Sequence, residues 1–464
     1  MDSSRAEPTK VCHVVAMASP GRGHINPMMN LCKLLVSKSK NILVTFVVTE
    51  EWLGFIGSEA KPDSIRFSSI PNVVPSERVR GADISGFAEA VMTQLEAPFE
   101  RLLDRLEPSP SVILADIFLR WVVGVGNLRN IKVSLFCPTS ASMFSIYQHF
   151  HLFEQNGDFP VNLLEKGMER VDYIPGVSST RFVDFPPHVA GASPRTLHRI
   201  LEAFTWLVQA HCLIFTSIYE LEPHTIDVLR AEFSIPLYTV GPAIPFFQVG
   251  EKLSPSIDGK LNYLEWLDCQ PPNSVLYISL GSFMPVCSAQ MDEIAAGLKK
   301  TGVRFIWVAR GETERLKEEC GDKGLVVPWC EQLRVLCHDS VGGFLSHCGW
   351  NSVQEGIFGG VPFLTFPLAF DQGHNSKVVV EDWKVGWRVN KNNNNVGAGE
   401  DNLVIKREEI ADLVKRFMDL ESDEGKEMRR KVRQLQKISH GAIAEGGSSE
   451  TNINAFIRDI ANIK

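Results

Sequence analysis

Two short segments carry residue types that can do chemistry. The first is Gly21-Arg22-Gly23-His24-Ile25-Asn26, where an imidazole follows a glycine-rich break. A neutral histidine is suited to removing a proton from an alcohol at physiological pH. Asn26 stands where the third glycine of a dinucleotide fingerprint would be, so a nicotinamide enzyme is a weak reading. A lone histidine is also more often structural than catalytic. The second segment is Ser346-His347-Cys348-Gly349-Trp350-Asn351-Ser352, followed by Glu355. A helix starting near Ser352 would offer free N–H groups and a positive dipole end, an anion site that suits a diphosphate. His347, Asn351 and Ser352 add side-chain donors, and Gly349 permits close backbone approach. A structural alternative stands beside this: Ser352-Val353-Gln354-Glu355 fits a capping box, Trp329 and Trp350 fit a core, and His347 fits a buried histidine.

Both segments fall at strand-to-helix turns. Residues 11–18 form an apolar, valine-rich run suited to a strand buried on both faces. After the break, Ile25, Met28, Met29, Cys32 and Leu35 recur at helical spacing, with Pro27 expected in the first turn. Further strands are predicted at 42–48 and at 112–115, the latter ending in Asp116. The same grammar restarts near residue 270. Residues 275–280 read as a strand ending at Gly281-Ser282, and a helix follows through Met291, Ile294, Ala295 and Leu298, with Ser288 as a candidate cap. Strands are also predicted at 304–308, 341–345 and 362–366. This alternation predicts an α/β fold of two doubly wound, Rossmann-like domains facing a central cleft, with ligands outside the carboxyl ends of the strands. The expected divisions are a first domain over 1–245, a linker over 246–260 that holds Pro, Gly and Ser with no clear period, and a second domain over 261–440. A helical segment over 441–464 is expected to pack back across the domains. Residues 391–402, with four consecutive asparagines, read as a surface loop with no chemical role.

At 464 residues the chain exceeds one ordinary core, and 44% hydrophobic with 22% charged residues is the balance of a folded globular protein. A net charge of −8 argues against nucleic acid as a partner. Any polyanionic ligand must therefore meet a local positive field, which a helix N-terminus supplies without a metal. None of the ten cysteines forms a CxxC pair, against a zinc ribbon or thioredoxin motif, and reduced thiols in the cytoplasm are expected. Residues 1–10 lack the apolar stretch of a secretory signal, and no run approaches the ~18 apolar residues of a membrane span. A soluble monomer without integral membrane association is expected.

Taken whole, residues 329–372 resemble, at matching spacing, the donor-binding signature of the plant family-1 UDP-glycosyltransferases. The resemblance implies the GT-B architecture, with the 1–245 domain binding the acceptor and the 261–440 domain binding a UDP-sugar. It implies that Trp329 stacks on uracil, Gln332 lies beside the nucleoside and Glu355 holds the ribose hydroxyls. His347, Asn351 and Ser352 would contact the diphosphate with Trp350 nearby, and Asp371 and Gln372 would bind the sugar hydroxyls. A closing Gln goes mostly with glucose in the family, which favours UDP-glucose as co-substrate. Trp266-Leu267-Asp268 with the run from Ser274 to Gly281-Ser282 is similar to the family's glycine-serine loop, placing Ser282 near the phosphates. Tyr219-Glu220-Leu221-Glu222, Val240-Gly241-Pro242 and Gly446-Gly447-Ser448-Ser449 resemble further landmarks. His24 matches the catalytic base of the Gly-His-x-x-Pro turn. Asp116, at a strand end, is the candidate carboxylate that orients it, the alternative being a helix cap or strand terminus. At Cys137-Pro138-Thr139-Ser140-Ala141 the sequence departs from the Trp-Thr of many relatives, so neither Thr139 nor Ser140 is assigned to the sugar.

The expected reaction is a single displacement giving a β-glycoside, with no metal and no other cofactor. Phe144, Phe150, Phe153, Phe182, Phe185, Phe204 and Trp206 are candidate walls of an apolar acceptor pocket, although core packing explains most of them equally well. Such a pocket would suit a phenolic, terpenoid or hormone acceptor from plant specialised metabolism. Two rivals remain: a sugar-nucleotide epimerase, which needs no acceptor, and a non-catalytic UDP-sugar sensor, which needs neither His24 nor Asp116.

Overall fold

The computed structural model describes residues 11–78, 83–248, 263–281, 286–321, 323–389 and 404–462. The apolar runs become strands. In chain order they are β1 (Cys12–Met17), β2 (Ile42–Thr49), β3 (Ile65–Ile70), β4 (Val112–Asp116), β5 (Lys132–Cys137), β6 (Arg170–Val171), β7 (Thr180–Arg181), β8 (Cys212–Phe215) and β9 (Leu237–Thr239). Then come β10 (Val275–Ser279), β11 (Arg304–Val308), β12 (Gly324–Val327), β13 (Val341–Ser346), β14 (Phe363–Thr365) and β15 (Gly386–Arg388). One sheet has the order β3-β2-β1-β4-β5-β8-β9, the other β12-β11-β10-β13-β14-β15, and β6 and β7 form a small antiparallel pair. Both large sheets are parallel throughout. Every residue of β1 and β4 is buried, as expected of strands covered on both faces.

The strand orders reverse at two places, between β1 and β4 and between β10 and β13. Each reversal leaves a crevice outside the carboxyl ends of the two strands, where open α/β sheets bind ligands. His24 and Asp116 follow the first pair. Gly281 and the 346–352 segment follow the second.

Several local expectations are corrected. The helix after β1 is Arg22–Lys38, so Pro27 falls in its second turn. The helix after β10 is Ser288–Thr301 with Cys287 at the N-cap and no side-chain cap bond, so Ser288 lies inside the first turn and does not cap. Residues 246–248 of the expected linker form a 3₁₀ turn; the remainder, and the asparagine run, lie outside the described residues.

The chain divides into two compact units that interleave along the sequence. The first comprises residues up to Phe150, then Ser193–Ala243, then Ala442 onward; the second comprises His151–Ala192 and Ile244–Gly441. Residues 151–192 thus depart from the expected 1–245 domain. The physical reason is a set of ion pairs with the second unit, including Arg170 to Glu381 at 2.9 Å and Arg388 to Asp184 at 2.6 Å. The terminal helix Ser448–Ala461 packs within the first unit. There the Asn452 amide donates to the Thr239 carbonyl at 3.0 Å, and the Phe456 ring lies 5.7 Å from Tyr238.

The candidate acceptor walls are core residues. Phe144 packs against Phe204 and Phe215 at 4.9 and 4.8 Å, and Trp206 lies half-buried against the same cluster. Phe150 is buried in the first unit. Phe153, Phe182 and Phe185 form an aromatic group in the second unit, with Phe153 and Phe185 edge-on at 5.3 Å.

Candidate active site

In the first unit the chain leaves β1 and turns at Gly21, whose φ of 152° and ψ of 140° disfavour any L side chain. The Gly21 carbonyl accepts the N–H groups of His24 (3.0 Å) and Ile25 (2.9 Å), which starts the helix and sets His24 on its first turn. Asp116, fully buried, ends the neighbouring strand β4. The two side chains meet, His24 Nδ1 to Asp116 Oδ2, at 2.7 Å. Backbone N–H groups hold the carboxylate from both sides: Ser19 donates to Oδ2 (3.3 Å) and Phe118 to Oδ1 (3.1 Å). The Phe118 ring stands edge-on to the imidazole at 6.0 Å. With Nδ1–H donating to Asp116, Nε2 is the nitrogen that can take a proton, and the buried carboxylate would stabilise the imidazolium formed.

In the second unit, β13 ends at Ser346, whose Oγ accepts the Cys348 N–H at 3.1 Å. Cys348 adopts φ 64°, and Gly349 is the N-cap of the helix Trp350–Gly359. No side chain caps this helix. It therefore begins two residues before Ser352, and the expected capping box does not form. Ser352 and Glu355 instead face Gln332, whose Nε2 donates to Ser352 Oγ (2.9 Å) and to Glu355 Oε2. Tyr277 on β10 donates its hydroxyl to Gln332 Oε1 at 3.0 Å. Burial pushes the Glu355 carboxyl up to about 7, with the Gln332 bond pulling the other way.

The His347 ring is wedged between two glycines. A Cβ at Gly281 would lie 2.8 Å from its Nε2, and one at Gly349 would lie 2.6 Å from it. Gly281 also adopts φ 85°. Burial holds the imidazole down to about 4, the Ser279 carbonyl opposing, so it is neutral at pH 7. Trp350 is buried with its indole 6.4 Å from Trp383, a core side chain whose backbone alone belongs to the helix start. Asn351 occupies the first turn beside it. Trp329, in the loop after β12, is 54% exposed, an apolar face that stacking on a base would cover.

Asp371 is the N-cap of the helix Gln372–Lys377. Asn375 ties it to the His347 segment, its Nδ2 donating to Asp371 Oδ2 (2.9 Å) and to the Cys348 carbonyl (3.0 Å). Gln372 Oε1 accepts the N–H groups of Leu368 (2.8 Å) and Ala369 (3.0 Å), which leaves its amide nitrogen as the end that can donate to a ligand. Ser282 lies outside the described residues.

The structure thus joins Gln332, Ser352 and Glu355 in one network and connects Asp371 to the turn that carries His347. Tyr277 and Asn375 were missed from sequence. Tyr277 reads as core inside an apolar strand, whereas Asn375 lies one helical turn from Asp371, a spacing that signals a side-chain pair. Ser140, left unassigned to the sugar, caps the helix Ala141–Gln148 by accepting the Met143 N–H at 3.2 Å. Glu222 accepts the N–H groups of Ala141 (3.0 Å) and Ser142 (2.9 Å) at the same helix end.

Comparison with known proteins identifies the family. The family model "UDP-glucoronosyl and UDP-glucosyl transferase" matches residues 252–395, which include β10 to β15. The chain is 52% identical to UDP-glycosyltransferase 87A2 of Arabidopsis thaliana over 465 residues, covering 100% of both chains. Among solved structures, UGT71G1 of Medicago truncatula complexed with UDP-glucose is 26% identical with a TM-score of 0.80, covering 97% of this chain and 99% of that one. UGT2 of Phytolacca americana, complexed with UDP-2fluoro-glucose and pterostilbene, is 27% identical with a TM-score of 0.80, covering 97% and 100%. Identity of this extent along the whole length, on two Rossmann-like units of the GT-B class, makes the chain a glycosyltransferase belonging to the plant UDP-glycosyltransferase family.

Proposed function

We propose that the protein is an inverting glucosyltransferase that moves glucose from UDP-glucose to a hydroxyl of a small apolar acceptor, giving a β-glucoside. The observation that carries this reading is the 2.7 Å pair of His24 with the buried Asp116 at the switch point of the first sheet. Binding alone needs no such pair. Nε2 of His24 takes the acceptor's proton as its oxygen forms a bond to the anomeric carbon. The bond from that carbon to the UDP oxygen breaks on the opposite face, and UDP leaves with the electron pair. A positioned base of this kind contributes about 10²–10⁴-fold in rate.

The uncapped start of the Trp350 helix supports a diphosphate subsite in which N–H groups and the helix dipole meet the leaving charge, a role for which this reading needs no metal. Glu355, as carboxylate, would accept the two ribose hydroxyls, with Gln332 and Ser352 holding it in place. Trp329 would cover the uracil. Asp371 and the Gln372 amide would face the sugar, and the closing Gln favours glucose. The pterostilbene bound to the Phytolacca protein supports a phenolic acceptor.

The test is UDP release from UDP-glucose against a panel of phenols, flavonoids, terpenols and hormones, with native protein and His24→Ala. Acceptor-dependent release, a glucoside in the mass spectrum, and a loss of at least about 100-fold in the variant are expected. Equal activity in the variant would sink the base assignment. UDP-glucose binding without turnover on any acceptor would favour a sensor, and an altered sugar with no acceptor consumed would favour an epimerase.

A further inference from the structure

The helix Gln372–Lys377, with Asp371 as its N-cap, runs on into a π-helical turn at Val378–Asp382, and the whole is still too short to hold a shape by its own hydrogen bonds in water. It is fixed instead by a strap from far upstream, residues 178–184. Arg388 on β15, nine-tenths buried, spreads its guanidinium over three acceptors: Nη1 to Asp184 Oδ1 (2.6 Å), Nε to Ser376 Oγ (3.1 Å) and Nη2 to the Gly373 carbonyl (3.3 Å). The second oxygen of the buried Asp184 accepts Nε of Arg181 at 2.8 Å. The helix backbone rests directly on the strap, since a Cβ at Gly373 would lie 2.8 Å from the Asp184 carbonyl oxygen. At the other end the buried Lys377 donates to Asp382 Oδ1 (2.7 Å) and to Ser178 Oγ, and Ser178 donates to Asp382 Oδ2 (2.7 Å).

We propose that Asp184 and Arg388 are positioning residues for the donor sugar: their buried pair sets the seat of the 372–377 helix and thereby the reach of Asp371 and Gln372. The inference rests on the reading of those two residues as sugar contacts. A planar guanidinium bonded to three acceptors at fixed angles admits one geometry; removing Asp184 takes away the carboxylate that compensates the buried Arg388, and removing Arg388 leaves Asp184 with Arg181 alone. The nucleoside end is set by other groups, Tyr277, Gln332 and Glu355, so an effect on the sugar is separable from an effect on UDP.

Asp184→Asn keeps the size and one acceptor oxygen, and Arg388→Lys keeps the charge without the fork. For both, the Kd of UDP is measured by calorimetry and UDP-glucose turnover by steady-state kinetics. The UDP Kd is expected within about twofold of native, while kcat/KM for UDP-glucose falls about ten- to a hundredfold, as a displacement on the order of 1 Å would cause. Preference for UDP-glucose over UDP-galactose should narrow as well. Ser376→Ala, which removes one arm of the clamp, is the milder variant should the others not fold, and the same split at a smaller size is expected. Equal weakening of UDP and UDP-glucose, or no change in either, overturns the proposal. Gln372→Ala is measured in parallel. If it leaves kcat/KM for UDP-glucose at the native value, the sugar-contact reading fails and the inference with it; if it impairs turnover while Asp184→Asn does not, only the positioning role falls.

Discussion

Burial penalises the charge of Glu355 and pushes its carboxyl up to about 7, with the Gln332 bond opposing. A folded-state pKa raised above the ordinary 4.5 adds stability at low pH that is lost as pH rises through 7. Glu355→Gln should therefore melt like the native protein below about pH 4 and be the more stable above pH 7, by on the order of 3 kcal/mol. Its UDP affinity should be weaker at pH 8, where the native carboxylate is mostly ionised. Melting curves of the two proteins from pH 4 to 8 check this, and a gap independent of pH would show that Glu355 does not titrate there. At Asp116 the expectation is kinetic. Asp116→Asn keeps the shape but offers an N–H where Nδ1 now donates, favouring the wrong tautomer of His24, so kcat should fall about 10³–10⁴-fold with the KM for UDP-glucose near native. An unchanged kcat would reduce Asp116 to a strand terminus.

At the scale of elements, the turn after β13 works only because its walls are bare. Gly349→Ala would drive a methyl into the His347 ring, and a cost of about 1–3 kcal/mol is expected, with UDP affinity falling by about tenfold as the ring is displaced. Differential scanning calorimetry and UDP titration read the two effects separately; intact affinity would remove His347 from the diphosphate subsite. Strands β1, β4 and β13 were legible because strands covered on both faces write themselves as unbroken apolar runs. His24 and the 346–352 turn were legible as residue types at strand ends. The start of the Trp350 helix was misread because capping rules look for a side-chain acceptor, and this helix begins at a bare glycine. Tyr277 was hidden by its apolar strand. Asp184 and Arg388 were invisible, because 204 residues separate them and no local pattern pairs a carboxylate with so distant a guanidinium.

For the molecule as a whole, acid should be the weak side. Burial holds His188, His347 and His374 down to about 4 and lowers His13 as well. Their depressed folded-state values mean that the unfolded chain binds these protons first. The stability they contribute is present above the ordinary 6.5 and is lost as pH falls towards 4. Urea midpoints should drop across that window, the three histidine protons at about 1.4 kcal/mol per pH unit each being opposed by the one that Glu355 takes up in the folded state, for a net slope approaching two. A flat profile would contradict it. His188, His347 and His374 all lie in the second unit, so hydrogen exchange at pH 5 should rise there first. The interleaving of the units has a consequence for anyone recombining members of this family. A hybrid gene crossed over near Ala243 does not exchange one unit for another. It sets the 178–184 strap of one parent beneath the Gln372 helix of the second, and lays the second parent's terminal helix on the first parent's β9. Donor preference in such a hybrid should then follow neither parent, whereas a graft that moves residues 151–192 together with the second unit, and leaves the terminal helix with the first, keeps both seats intact.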